Sequence, residues 1–215
     1  MVEPSLGPGA RGRARIAVLV SGAGSNMVAL ADAIDRGEVA ADIAVVVSDV
    51  DGAPAIARAT ERGLATATVP FDRADRPAWE ARLADEVASH HVDLVVLAGF
   101  MRIVSGAFLA RWPDRVVNVH PSLLPAFRGA DAVGDALAAG VRVTGVTVHL
   151  VDELVDHGPI LAQEAVEVLP DDDRESLLAR LHAVEHRLLP RAVDLLASGR
   201  VRVADGRATL LDDRS

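Results

Sequence analysis

Cysteine, lysine and tyrosine are all missing from the 215-residue chain. Without cysteine there are no disulfides, no thiolate metal ligands and no cysteine nucleophile. All 22 basic residues are arginine, which excludes a lysine Schiff base and a Walker-type phosphate loop, whose lysine reaches the β- and γ-phosphates. No phenol is available as an acid or base. No apolar run reaches the ~18 residues of a membrane span, and no apolar signal-peptide core opens the chain. Acids outnumber bases, for a formal charge of −9. That balance argues against a nucleic-acid surface, which needs clustered basic charge to displace phosphate counterions. The expectation is a soluble cytoplasmic protein with no nucleic-acid or membrane partner. Any anionic ligand has to be held by local donors.

Half of the residues are hydrophobic and a quarter are charged, the balance of a globular protein, and a chain of this length buries about 70% of its unfolded surface. Residues 1–13 are dense in Pro, Gly and Arg without apolar periodicity, so they read as a disordered tail and leave 14–215 as a single domain. Short β-branched runs at 16–20, 43–47, 65–69, 94–97 and 116–119 read as strands, and the stretches 26–36, 54–62 and 77–89 between them read as helices. Continuous apolar strands alternating with helices define an α/β protein with a parallel sheet covered on both faces. Beyond Pro121 the runs 143–151 and 160–168 predict a mixed or antiparallel extension of that sheet. The acids Asp171, Asp172 and Asp173 then suit the N-terminus of a long helix over 175–196.

Four segments have the residue types that chemistry needs. Ser21-Gly22-Ala23-Gly24-Ser25-Asn26 lies between the first strand and first helix, where glycines and free helix N–H groups favour a phosphate. A dinucleotide fingerprint competes, with Asp49 near the position of a ribose-binding acid, but Met27 stands where the third glycine belongs. A plain strand-to-helix turn is the third account. Asn118 and His120 are two apart on one strand, so they share a face at the strand's C-terminal end, where an amide N–H and an imidazole N–H can stabilise a carbonyl oxygen as it gains charge. Thr147 and His149 share a strand face in the same way, and the loop holding Asp152, Glu153 and Asp156 can set a carboxylate beside His120. Asp156 stands first among these acids because Gly158-Pro159 fixes a turn just after it. A His/Asp zinc site is the metal alternative, but no H-E-x-x-H spacing occurs. Finally, the apolar rim A-G-F-M-R-I-V over 98–104 can clasp a flat heteroaromatic ring, or simply close a core strand.

Taken together, these segments resemble the phosphoribosylglycinamide formyltransferases, the folate-dependent enzymes of purine biosynthesis. The resemblance runs in order from about residue 16 to about residue 196, through S-G-A-G-S-N, L-A-G-F-M-R-I, N-V-H-P-S-L-L-P, T-G-V-T-V-H and D-H-G-P. It implies a formyltransferase fold with a Rossmann-like sheet. It also implies transfer of the formyl group on N10 of 10-formyltetrahydrofolate, a co-substrate, to the amine of glycinamide ribonucleotide, with no metal. Asn118, His120 and Asp156 would be the catalytic three. Gly24, Ser25 and Asn26 would bind the ribonucleotide phosphate, and Glu185 its glycinamide end. The folate would lie against Met101, Arg102, Ile103, Val104 and the loop from Asp152 to Asp156, with Arg76 near its glutamate tail. A local arginine field at Arg76 and Arg102 would draw in the two anionic substrates, and a homodimer is compatible with the sequence.

The chain departs from the family where Arg128 replaces a proline and the block 129–133 has no histidine, which bears on substrate contacts in that loop. Thr147 keeps the hydroxyl of the serine found in many relatives. Formyltetrahydrofolate deformylase and methionyl-tRNA formyltransferase share the chemistry, but the first has an added N-terminal domain and the second a C-terminal tRNA domain. The short stretches flanking the expected domain, and the acidity, favour the ribonucleotide as acceptor. A nucleotide sensor or dehydrogenase that used the glycine turn for NAD would leave Asn118, His120 and Asp156 without a task.

Overall fold

The computed structural model describes residues 12–211. Seven strands form one sheet: β1 (Ala14–Val20), β2 (Ala41–Ser48), β3 (Thr66–Thr68), β4 (Leu94–Leu97), β5 (Val116–His120), β6 (Val143–Leu150) and β7 (Ile160–Glu167). Their order is β3-β2-β1-β4-β5-β6-β7. Pairing is parallel from β3 to β5, and β5–β6 and β6–β7 are antiparallel. The parallel sheet with an antiparallel extension expected from the sequence is therefore the observed architecture. Six helices connect it: α1 (Ser25–Asp35), α2 (Pro54–Glu61), α3 (Arg76–Ser89), α4 (Gly106–Leu109), α5 (Ala132–Ala139) and α6 (Arg174–Ala197). A separate hairpin of β8 (Val201–Ala204) and β9 (Arg207–Leu210) follows α6.

Strand alternation splits the core into two layers. Ile16, Val18 and Val20 of β1, Val117 and Val119 of β5, and Val146, Val148 and Leu150 of β6 pack under α1, α2 and α6. Ala17 and Leu19, with Val95 and Leu97 of β4, face the other way onto Trp79, Leu83 and Val87 of α3 and Phe108 of α4. That second layer ends on β5 at Val116. The next two positions on the same face, Asn118 and His120, are polar. The sheet thus carries a face that is apolar at one end and chemically equipped where the α3–α4 cover stops.

Helix ends follow the sequence cues. Pro54 and Pro77 sit in the first turns of α2 and α3, where a missing N–H costs nothing. Asp75 caps α3 by accepting from Ala78 N–H at 3.0 Å. Asp173 and Ser176 form a reciprocal capping box at the start of α6. The expected tail lies outside the described residues as far as residue 11. Arg13, its last member, donates to Asp42 Oδ1 at 2.9 Å and to the Ala41 carbonyl at 2.6 Å.

The antiparallel extension depends on one close approach. A Cβ on Gly145 of β6 would stand 2.2 Å from the Glu164 carbonyl on β7 and 2.7 Å from Leu123 Cδ2. Gly145→Ala is expected to cost about 1–3 kcal/mol through overpacking, read as a lower urea midpoint at unchanged slope. An unchanged midpoint would mean that β6 and β7 separate freely.

Candidate active site

Cross-strand register assembles the centre of the site. Asn118 pairs with His149, and His120 with Thr147, across the antiparallel β5–β6 ladder, so all four side chains share one face. Residues opposite one another in such a ladder have Cβ atoms about 5 Å apart. Asn118 Nδ2 lies 3.2 Å from His149 Nε2. The other ring nitrogen, His149 Nδ1, is 2.8 Å from the Leu150 carbonyl. A carbonyl only accepts, so Nδ1 bears the hydrogen, and Nε2 offers its lone pair to the Asn118 amide. One amide hydrogen is thereby fixed and the carboxamide is oriented.

The loop after β6 supplies the carboxylate. Asp156 Oδ2 accepts from Gly129 N–H at 2.8 Å and stands 3.4 Å from His120 Nδ1. Its Oδ1 is 3.5 Å from Asn118 Nδ2 and 3.7 Å from His149 Nε2. The turn depends on Gly158, whose Cβ would fall 2.1 Å from the Leu150 carbonyl. Asp156 itself adopts a left-handed backbone, with φ 48°, uncommon outside glycine although aspartate tolerates it best. Burial pushes the Asp156 carboxyl up. The Gly129 N–H and the nearby His120 imidazole more than offset that, and the pKa ends below the ordinary carboxylate value.

His120 is 5% exposed, and its Nε2 donates to the Phe127 carbonyl at 2.8 Å. Phe127 has φ 51°, a strained conformation for a bulky side chain. Residues 122–127 are pinned to β6: Thr147 Oγ1 donates to the Ser122 carbonyl at 2.7 Å and accepts from Leu124 N–H at 3.0 Å. Gln163 of β7 donates to the same hydroxyl at 2.9 Å.

The glycine turn lies at the same edge of the sheet. Leu19 of β1 is level with Leu97 of β4, and Leu97 with Asn118 of β5, so two strand spacings, about 10 Å, separate the turn from Asn118. Gly24 has φ 76°, and a Cβ there would come within 2.6 Å of Ala55 Cβ; no other residue fits that approach of α2. No side chain caps α1 and no acid occupies its first turn, which leaves Ser25 and Asn26 at a helix N-terminus suited to an anion. Asn26 Nδ2 donates to Glu185 Oε2 of α6 at 2.7 Å, and Asn26 Oδ1 is buried without a donor. Both groups invite hydrogen-bond donors from a ligand.

The predicted folate segment forms an exposed rim. Met101 is 70% exposed and Ile103 57%, Leu154 and Val155 of the 151–158 loop are also exposed, and Val104 is buried. Arg76 Nη2 donates to the Ile103 carbonyl at 2.6 Å. Asp152 holds its own loop, accepting from Leu154 N–H at 3.0 Å and facing His157 Nδ1 at 2.7 Å. Arg102 is not the free cation that a guiding arginine field requires: its Nε donates to Asp49 at 2.6 Å and its guanidinium lies 4.1 Å over the Phe71 ring. Asp49 in turn has both oxygens engaged and no exposed side-chain surface, which removes it as a ribose ligand. Among the described residues, no group of three or more His, Asp or Glu side chains is arranged to hold a metal ion.

Sequence reasoning put His149 on the correct face but gave it no role; the N-x-H pattern of β5 mirrored by T-x-H on β6 was the available signal. Phe127 and Gly129 were out of reach, because they act through backbone atoms.

This donor set suits transfer of an activated acyl group, whose carbonyl oxygen gains charge as the new bond forms. The chain belongs to the formyl transferase family, whose description matches residues 14–193. It is 47% identical over 198 residues to the phosphoribosylglycinamide formyltransferase of Mycobacterium tuberculosis, an alignment covering 92% of this chain and 91% of that protein. It is 45% identical over 190 residues to the trifunctional purine biosynthetic protein adenosine-3 of Drosophila melanogaster, with 87% of this chain covered but only 14% of that much longer protein. A crystal structure of glycinamide ribonucleotide transformylase 1 from Symbiobacterium toebii superposes with a TM-score of 0.90 at 43% identity, covering 93% of this chain and 95% of the other.

The lowered Asp156 pKa has a defined sign. Its ionised contacts stabilise the fold above about pH 4, the ordinary aspartate value, and that contribution is lost as pH falls through the lower folded value. Asp156→Asn is expected to melt below the wild type near neutrality, with the gap narrowing below about pH 4. A gap constant with pH would contradict an ionised Asp156 held by these contacts.

Proposed function

We propose that this chain transfers the formyl group of 10-formyltetrahydrofolate to the amine of glycinamide ribonucleotide, giving N-formylglycinamide ribonucleotide and tetrahydrofolate in purine biosynthesis. The observation that carries the reading is the meeting of Asn118, His120 and Asp156 at the C-terminal end of β5, level with the glycine turn. The single domain 14–215 works in the cytoplasm on two small-molecule substrates.

Gly24, Ser25 and Asn26 hold the ribonucleotide phosphate through backbone and side-chain N–H and O–H groups. Glu185 and the orphan Asn26 Oδ1 accept hydrogens from the sugar and glycinamide end. The folate ring lies along residues 101–104 with Asp152 and Val155 beneath it, and its glutamate tail extends toward Arg76. The exposed apolar rim fits a flat heteroaromatic group.

In the ternary complex the neutral glycyl amine attacks the formyl carbon. Asn118 turns its second amide hydrogen, the one His149 does not hold, from Asp156 Oδ1 to the formyl oxygen. His120 moves its Nε2 hydrogen from the Phe127 carbonyl to the same oxygen, with the Asp156 carboxylate 3.4 Å from its Nδ1. The new C–N bond forms, the amine proton departs toward Asp156 directly or through water, and the bond to N10 breaks as N10 takes up a proton. One proton is lost and one gained, and no covalent enzyme intermediate is required.

The test follows absorbance of the folate with and without the ribonucleotide. Turnover only in its presence supports the transferase; turnover without it identifies a deformylase with water as acceptor. Asn118→Ala is expected to lower kcat at least about a hundredfold, since one oxyanion donor contributes ~2.7–4 kcal/mol, with the circular dichroism spectrum unchanged. A variant that keeps most of its turnover removes Asn118 from the chemistry. Asp156→Asn is expected to reduce kcat far more than folate affinity; equal losses would make Asp156 a binding residue instead.

A further inference from the structure

One buried carboxylate that takes no part in the reaction ties the glycine turn to the β4 rim. Asp49, just beyond β2, has no exposed side-chain surface. Its Oδ1 accepts from Ser21 Oγ at 2.5 Å and its Oδ2 from Arg102 Nε at 2.6 Å. Ser21 opens the glycine turn, and its hydroxyl oxygen also accepts the Met101 N–H at 2.9 Å. Ser21 N–H donates to the Gly99 carbonyl at 3.2 Å, and Phe71 N–H donates to the Asp49 carbonyl at 2.9 Å. Phe71 supports the Arg102 guanidinium from below and meets Trp79 edge-on at 4.8 Å. The cluster is thus braced against the second core layer.

Stability alone gives little reason for this arrangement. Replacing a buried ion pair with well-packed apolar groups is often neutral or stabilising. Each Asp49 oxygen is instead committed to a different subsite: Oδ1 to the turn that receives the phosphate, and Oδ2 to the segment that receives the folate. A shift of Ser21 moves the Met101 N–H and the carboxylate together, and a shift of Arg102 reaches Ser21 through the same carboxylate.

We infer that Asp49 is a positioning residue shared by the two substrate subsites, so that filling either one orders the other. The inference rests on the subsite assignment made under Proposed function. Coupling of this kind is reciprocal: each ligand improves the affinity of the other by the same factor, typically about 5–150-fold.

The test is titration calorimetry of glycinamide ribonucleotide and of a folate analogue that has no transferable formyl group. Each is measured alone and with the other bound, in the wild type, Asp49→Asn and Ser21→Ala. The wild type is expected to show equal enhancement in both directions of at least about fivefold. Asp49→Asn is expected to reduce that enhancement to less than about twofold and to raise both KM values at least about fivefold, while kcat changes less than about threefold. Ser21→Ala, which breaks only one arm of the bridge, is expected to lose most of the enhancement too. Absence of mutual enhancement in the wild type overturns the inference. So does its survival in Asp49→Asn, or a loss of kcat and active fraction there with both KM values unchanged, the mark of a merely structural role. If Asp49→Asn does not fold, full enhancement in Ser21→Ala overturns it. Calorimetry needs no turnover, so an inactive wild type that still shows coupling counts against the proposed reaction and not against the bridge.

Discussion

The antiparallel register of β5 on β6 is the constraint on which the rest depends. Asn118 opposite His149 and His120 opposite Thr147 set four polar side chains on one face, while Val117, Val119, Val146 and Val148 between them fill the core under α1 and α6. A slip of one residue would exchange the two sets, burying an amide and an imidazole among valines and exposing the core. The hydrophobic effect that fixes the register therefore also aims these polar groups. Thr147 then holds residues 122–124, and the turn closed at Gly158 returns Asp156 to the same place. Each of these is a consequence of where β6 lies.

An acidic protein proposed to handle two anions needs compensation at close range, and the structure shows how its buried charges are arranged. Each buried carboxylate has named donors: Asp49 has Ser21 and Arg102, Glu80 has the Ser105 backbone and hydroxyl, Glu185 has Asn26, and Asp156 has Gly129. Arg102 is neutralised by its partner, so the positive potential available to a phosphate comes from backbone N–H groups at the acid-free start of α1. Such donors belong to the backbone and have no side-chain freedom to lose on binding, a form of electrostatic stabilisation that serves catalysis well.

Much of this was legible in the sequence because it depends on local pattern. Apolar runs and helix periodicity located the parallel strands and α1, α2, α3 and α6 to within a residue or two, and proline and aspartate marked their first turns. The two-residue spacing of Asn118 and His120 placed them on one face, and Gly158-Pro159 marked Asp156 as the ordered acid. Other features resist such reading. α4 has four residues, too few to show a period, and α5 has only eight. The occupation of Arg102 by Asp49 joins residues 53 apart in sequence, and no local pattern records such a pair. The same holds for the contacts of His120 and Asp156 with the backbone of Phe127 and Gly129, which carry no side-chain signature.

The central claim is geometric: amide, imidazole and carboxylate surround one reacting carbon while the ribonucleotide is anchored at the glycine turn. A crystal structure of the protein with glycinamide ribonucleotide and a stable carbon analogue of 10-formyltetrahydrofolate tests it most directly. The account predicts the glycyl nitrogen about 3–3.5 Å from the carbonyl carbon, with Asn118 Nδ2 and His120 Nε2 about 2.7–3.1 Å from its oxygen and the phosphate on the N–H groups of Ser25 and Asn26. A carbonyl bound beyond reach of both side chains, or a phosphate seated away from that turn, would contradict it.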